Sequence, residues 1–261
     1  MRGVCVMSHH DILYFTKSGV NGNDFIIFNN QNIEYSSNFI RYIADRKFGI
    51  GADQIIDIKQ NHDKYIINFY NQDGSSAMMC GNGLCASLQV LHPENPIKII
   101  VNNTEILGTY SPKSDSSKIE LPLPMEIIMS SSGIIENDYI IDHKFIDTSN
   151  RHMICLVDNR IDDLQLISTE YAKSLQDIYP DFNIHFIKML DHDIYIRSFE
   201  RGVGWTLACG SGSIASTFAF GHKNRIHTIH HERGTSIVNI HDEIAEFETS
   251  PNIVFEGKFR L

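Results

Sequence analysis

The sequence predicts an α+β protein of two pseudo-symmetric domains arising from an internal duplication, each a mixed β-sheet wrapped around a central α-helix. Three observations predict it. The octet Cys-Gly-Asn-Gly-Leu-Cys-Ala-Ser at 80–87 recurs as Cys-Gly-Ser-Gly-Ser-Ile-Ala-Ser at 209–216, identical at five of eight positions. Polar residues precede both cysteines in one order: Asn71 and Glu200 lie nine residues upstream, Gln54 and Asn183 twenty-six, and Asn23 and Asn150 fifty-seven and fifty-nine. Helical and strand-like runs repeat in the same sequence around these markers.

Taken in chain order, Ser36 or Ser37 can cap a helix with Phe39, Ile40, Ile43 and Ala44 at helical spacing. A strand carrying Gln54 follows, and the strand-like run Tyr65 to Tyr70 ends at Asn71. After Cys80 the Gly-x-Gly turn opens a segment of small and apolar residues, Leu84 to Leu91, suited to a buried helix. The second half repeats the plan with Ser168 as cap, Tyr171, Ala172, Leu175 and Ile178 as the helical stripe, and Asn183 on the next strand. Ile194 to Phe199 then ends at Glu200, and Ile214 to Phe220 follows Cys209. The junction falls near Leu121-Pro122-Leu123-Pro124, where two prolines close the strand-like Lys118-Ile119-Glu120 and Ser130 to Ser132 follow. The halves are therefore expected at 1–123 and 124–249, the strand-like tail at about 250–261 completing the first.

Composition narrows the function classes. With 22 Lys plus Arg against 32 Asp plus Glu, the net charge of −10 is the wrong sign for holding nucleic acid or an anionic membrane. No apolar run approaches the roughly 20 residues of a membrane span, and the polar Ser8-His9-His10-Asp11 argues against a signal peptide. Five cysteines, an odd and sparse number, favour free thiols and the cytoplasm. Met7 is an alternative start.

Two halves related by duplication are expected to face each other across a pseudo-twofold cleft, bringing Cys80 and Cys209 together. Opposed thiols suit inversion at carbon, which needs a base on one face and an acid on the other. A thiol at a helix N-terminus is readily ionised, and two neighbouring thiols share one proton between two roles. The Gly-x-Gly turns would offer backbone N–H groups to a carboxylate that gains charge as its α-carbon deprotonates. Asn23, Gln54, Asn71, Asn150, Asn183, Glu200 and Arg201, in register with the cysteines, could fix ammonium and carboxylate groups at both ends of a substrate.

These residues have a familiar form: Gly22-Asn23-Asp24-Phe25, Gly49-Ile50-Gly51-Ala52-Asp53-Gln54, Asn71-Gln72-Asp73-Gly74-Ser75, Met79-Cys80-Gly81-Asn82-Gly83, and Glu200-Arg201-Gly202-Val203-Gly204 leading to Ala208-Cys209-Gly210-Ser211-Gly212. From about residue 13 to 260 the chain resembles the diaminopimelate epimerases. That resemblance implies conversion of LL-2,6-diaminopimelate to the meso isomer on the route to lysine and peptidoglycan, without pyridoxal phosphate, other cofactor or metal, by a homodimer. It implies that Cys80 and Cys209 are the acid and base thiols, with His152 and Glu200 tuning them. Gly81, Asn82, Gly210 and Ser211 would hold the reacting end, and Asn23, Gln54, Asn71, Asn150, Asn183, Glu200 and Arg201 the rest. The chain departs from the family pattern at Ser18-Gly19-Val20-Asn21, at Arg151 in place of Pro, and at Trp205 in place of Glu.

Plainer readings stand beside these. A cysteine in a small-residue helix is ordinarily a packing residue, and only the registered duplication reverses that for Cys80 and Cys209; Cys5, Cys85 and Cys155 keep the plain reading. Asn71-Gln72-Asp73-Gly74 could be only a turn, and Glu232-Arg233-Gly234, without a following Cys-Gly, reads as an exposed one. His227, His230 and His231 fit no standard zinc spacing. The rival functions are a proline-racemase-like enzyme, which typically carries His where this chain has Asn82, a thiol redox or metal-binding module, and an inactive ligand-binding relative.

Overall fold

The computed structural model describes residues 12–31, 34–129 and 139–260; Cys5, Met7 and Ser130 to Ser132 lie outside them. The chain divides into two compact units, one of the residues up to Ile119 together with Thr249 onward, the other of Glu120–Glu248.

In the first unit, β1 (Ile12–Val20) and β2 (Asn23–Asn29) form a hairpin with Val20 opposite Asn23. Asn21 (φ 50°) and Gly22 (φ 98°) both take the left-handed conformation that a tight two-residue hairpin turn requires. The altered approach loop is thus an Asn-Gly turn, fastened by the Asn21 amide donating to Thr249 Oγ1 at 3.1 Å. Helix α1 (Ser37–Ala44) is capped by Ser36, whose Oγ accepts from Phe39 N, and returns the chain to β3 (Gln54–Asn61), parallel to β2. Then come β4 (Lys64–Asn71), the short β5 (Ser76–Ala77), helix α2 (Gly81–Leu91), β6 (Ile97–Val101), β7 (Thr104–Ser111) and β8 (Ser116–Pro122). A C-terminal strand, Asn252–Arg260, pairs antiparallel with β1 and so belongs to this unit.

The second unit repeats the plan. After the short β9 (Met125–Glu126), β10 (Ile140–Asp147) and β11 (Arg151–Val157) pair antiparallel, and α3 (Thr169–Ile178), capped by Ser168, leads to β12 (Asn183–Leu190) parallel to β11. β13 (Asp193–Glu200), β14 (Gly204–Thr206), α4 (Gly210–Phe220), β15 (Ile226–His230), β16 (Thr235–Ile240) and β17 (Ile244–Thr249) follow, and the C-terminal strand is β18. Pairing matches strand for strand: β4 takes β5 antiparallel and β6 parallel, as β13 takes β14 antiparallel and β15 parallel.

The inner strands are covered on both faces, which explains unbroken buried runs such as Phe25-Ile26-Ile27-Phe28, whereas outer strands such as Thr235–Ile240 alternate buried and exposed. Ile26, Phe28 and Ile55 pack under Ile40, Ile43 and Ala44 of α1; Met153, Cys155, Ile184 and Phe186 pack with Ala172 and Leu175 of α3. The opposite faces receive α2, against β1, β2, β3 and β7, and α4, against β10 to β13 and β16. The chain is an α+β protein of duplicated halves.

Candidate active site

Each half places a cysteine at the start of its central helix with one geometry. Cys80 (φ −123°, ψ 113°) caps α2 and Cys209 (φ −136°, ψ 108°) caps α4. Cys80 Sγ accepts from Gly83 N and Cys209 Sγ from Gly212 N, both at 3.4 Å. The helix start leaves further N–H groups, including those of Gly81 and Asn82 or Gly210 and Ser211, without intrahelical partners. These sit where the dipole favours an anion.

The glycine two places into each helix is required by what lies beneath. A Cβ on Gly83 would come within 2.6 Å of Phe69, 3.1 Å of Ile56 and 3.3 Å of Phe25. One on Gly212 would come within 2.4 Å of the His185 ring.

In the first unit the expected residues gather at this end of α2. Phe25, under Gly83, lies opposite Gln54, and Gln54 lies opposite Asn71. Gln54 Nε2 donates to Asn71 Oδ1 at 3.3 Å, and Asn71 Nδ2 donates to Ser75 Oγ at 3.1 Å. The buried Asn82 donates its amide to Asn23 Oδ1 at 2.8 Å. Asn82 Oδ1 and Gln54 Oε1 are buried acceptors with no partner inside the protein. Asn71 both begins a turn, accepting at its carbonyl from Gly74 N, and holds its side chain toward Gln54.

A charged lattice behind these amides was not legible in the motifs. Asp24 and Asp53, each next to a site residue, interlock: Asp53 N donates to Asp24 Oδ1 at 2.8 Å, and Asp24 N donates to Asp53 Oδ2 at 3.1 Å. Arg46 grips Asp24 with two bonds of 2.7 and 2.8 Å and Asp53 with one of 2.7 Å. Lys17 adds an ion pair to Asp24 at 2.6 Å and also donates to the Gly51 carbonyl. These cations hold the Asp24 carboxyl well below the usual range despite its partial burial, whereas burial and the neighbouring Asp24 charge raise Asp53.

In the second unit, Asn183 Oδ1 accepts from Arg201 N at 3.0 Å, tying two expected contacts together. The Arg201 side chain is exposed. Asn150 shapes the turn before β11, its carbonyl accepting from Thr148 N, and leads to the fully buried His152. The Glu200 carboxylate accepts from the Thr206 hydroxyl and from the Cys209 thiol; burial nevertheless raises its pKa. The thiol–carboxylate contact directly links two of the expected catalytic residues. Cys209 Sγ also lies 3.5 Å from Ser211 Oγ.

His152 is one link in a buried chain the motifs did not announce. Thr148 Oγ1 meets His152 Nε2 at 3.0 Å, His152 Nδ1 meets His185 Nε2 at 2.8 Å, and His185 Nδ1 meets Ser198 Oγ at 2.9 Å. Burial pushes His152 down to about 3 and His185 well below its usual value, so both rings are neutral near pH 7. One nitrogen of each ring and Cys209 Sγ lie within 4.8 Å of one another, near enough together to be weighed as metal donors. The 2.8 Å nitrogen separation is that of a hydrogen bond. Two nitrogens on one tetrahedral zinc stand about 3.3 Å apart.

Elsewhere, Cys85 donates to the Ser117 carbonyl at 3.4 Å, and the buried Cys155 thiol, pushed up to about 12, packs in the outer core of its unit. His231 reaches Ser213 of α4 at 3.3 Å and Ser236 at 2.9 Å, while His227 bonds to backbone and His230 to Asp193. Glu232-Arg233-Gly234 is an exposed turn. At the position of the expected Glu, Trp205 lies flat beneath Arg197, 3.6 Å from its guanidinium, and donates to Thr169 Oγ1. Arg151, in place of Pro, pairs with Asp181 at 3.6 Å.

Comparison with known proteins agrees with this architecture. Residues 15–102 match the profile described as diaminopimelate epimerase. The chain is 31% identical to the diaminopimelate epimerase of Rickettsia rickettsii (strain Sheila Smith) over 261 residues, covering 95% of this chain and 94% of that one. It is 32% identical to that of Prochlorococcus marinus (strain NATL2A) over 230 residues, 77% of this chain and 81% of the relative. Among solved structures, a phenazine biosynthesis protein of the PhzF family from Enterococcus faecalis superposes with a TM-score of 0.74 at 11% identity, covering 96% and 100% of the two chains. A hydroxyproline epimerase from Agrobacterium vitis gives 0.64 at 10% identity, covering 96% and 93%. These two show the fold alone; the full-length match to the rickettsial enzyme shows kinship, and the chain belongs to the diaminopimelate epimerase family of isomerases.

Proposed function

We propose that the protein interconverts LL- and meso-2,6-diaminopimelate by a two-thiol mechanism, with Cys80 and Cys209 exchanging the roles of acid and base. The observation that carries this reading is the matched geometry of the two cysteines, each capping its central helix and each accepting from the glycine N–H three residues on at 3.4 Å. Inversion requires one sulfur on either face of the α-carbon. A thiolate takes the α-proton, its electron pair passes into the carboxylate, and the other thiol returns a proton to the opposite face. Backbone N–H groups at the helix starts suit the charge that builds on that carboxylate.

In this reading Gly81, Asn82, Gly210 and Ser211 hold the reacting carboxylate and ammonium. The unused Asn82 Oδ1 and Gln54 Oε1 are acceptors suited to an ammonium group. Asn23, Asn71, Asn150, Asn183, Glu200 and Arg201 hold the remainder, Arg201 as the bidentate carboxylate partner. Glu200 and His152 tune Cys209. The reaction needs no cofactor, and a homodimer acting in the cytoplasm, in lysine and peptidoglycan precursor synthesis, is proposed with it.

The test is α-proton exchange into deuterated water with diaminopimelate and, separately, proline. Exchange with diaminopimelate that falls by orders of magnitude in both Cys80→Ser and Cys209→Ser is the expected result. Exchange with proline alone, or near-normal turnover in either variant, would overturn the assignment.

A further inference from the structure

The two helix starts share a backbone but stand on different foundations. By strand register, Phe25 corresponds to His152, Ile56 to His185 and Phe69 to Ser198, since Phe25 lies opposite Gln54 and His152 opposite Asn183. One helical turn above, Leu84 corresponds to Ser213. Beneath Gly83 all these groups are apolar; beneath Gly212 all are polar and hydrogen-bonded. The duplication kept the scaffold and changed the polarity under one sulfur.

Two neutral imidazoles in series admit only two arrangements of protons. Either Thr148 donates and both rings pass N–H toward Ser198, or Ser198 donates and both rings pass N–H toward Thr148. His185 therefore couples the tautomer and ring plane of His152 to a fixed hydroxyl on β13. Without it, His152 Nδ1 would be a buried group lacking a partner, and its ring dipole next to Cys209 would lose a defined direction. The titratable groups around this cluster are His152 on β11, His185 on β12, Glu200 on β13 and His231 just after β15; α4 supplies Ser213 and no further titratable side chain beyond Cys209 at its cap.

We infer that His185, anchored by Ser198, is a positioning residue that orients His152 and sets the ionisation of Cys209, giving the two thiols unequal readiness to act as base. This rests on Cys209 being an acid–base thiol. The role is distinct from substrate contact, because both ring nitrogens of His185 are already engaged within the protein.

The experiment is residue-resolved iodoacetamide labelling of the intact protein between pH 5 and 10, read by mass spectrometry for Cys80 and Cys209, with epimerisation kinetics in parallel. His185→Leu, which imitates the apolar first half, should raise the pH midpoint for Cys209 by about one unit and leave that of Cys80 unchanged. It should lower kcat at least about tenfold with little change in KM. His185→Gln, which puts an amide where Nε2 stands, should restore most of the midpoint. An unmoved Cys209 midpoint in folded His185→Leu, or a His185→Gln variant displaced as far as His185→Leu, would overturn the inference. If His185→Leu melts below the assay temperature, Ser198→Ala carries the same test with a smaller shift in the same direction, and no shift overturns it. Labelling does not depend on turnover, so a Cys209 midpoint shifted in His185→Leu together with wild-type protein inert toward diaminopimelate would defeat the substrate assignment and leave the role of His185 standing.

Discussion

Arg46 holds Asp24 through two bonds of 2.7 and 2.8 Å, and with the same guanidinium reaches Asp53 at 2.7 Å. Asp24 follows Asn23 and Asp53 precedes Gln54, so one cation fixes the spacing of two amides proposed to touch substrate. A planar fork can do this; a single ammonium cannot.

Replacing Arg46 by Met should therefore impair binding more than chemistry. The expected outcome is a KM for diaminopimelate raised about tenfold, equivalent to about 1.4 kcal/mol, with kcat changed far less. Arg46→Lys should lie close to Met. Steady-state kinetics on both variants decides, and an unchanged KM would detach the lattice from binding.

Gly83→Ala and Gly212→Ala should each destabilise the protein by about 1–3 kcal/mol through overpacking. The added carbon meets Phe69 at 2.6 Å in one half and the His185 ring at 2.4 Å in the other. Denaturant unfolding measures the loss. A midpoint unchanged in either variant would mean that the helix start can rise off its sheet.

Mild acid should weaken the second unit. Burial lowers His152 to about 3, His231 to about 4 and His185 well below 6.5. Below about pH 6.5 the unfolded chain binds protons on these rings and the native chain does not, so stability falls by up to about 1.4 kcal/mol per ring for each pH unit. Glu200 opposes this, because its raised pKa lets the native state bind a proton before the unfolded state does. Asp24, held low, acts only in stronger acid, its contribution being lost as pH falls below the ordinary carboxylate range. Asp53 and Asp57, also raised by burial, act in the same sense as Glu200, but the rings begin to count from about pH 6.5, above the ordinary carboxylate range, and the melting temperature should drop from pH 7 to pH 5. A flat profile would contradict neutral burial of the histidines.

The fold was legible because period and duplication reinforce one another. Caps at Ser36 and Ser168, helices after Cys80 and Cys209, and strands ending at Asn71 and Glu200 all stand where spacing put them. The tail at about 250–261 was expected to complete the first half although its own pattern, Ile253 to Arg260, suits either, and tertiary pairing with β1 fixes it there. Motif residues were visible because they recur. His185 and Ser198 stayed hidden for the opposite reason: their counterparts Ile56 and Phe69 differ from them, so self-comparison carried no signal. His231, read as a structural histidine, turns its ring to Ser213, while the triplet after it is the exposed turn expected.

The closing role of β18 bears on how the molecule is made. Its partner β1 emerges from the ribosome early, yet waits for a strand that follows all of Glu120–Glu248. The continuous second unit holds its whole sequence in one stretch and can fold while the first is still short of an edge. Until synthesis reaches Asn252, the nascent first unit presents an unpaired β1 border, the kind of surface that invites mispairing and chaperone capture.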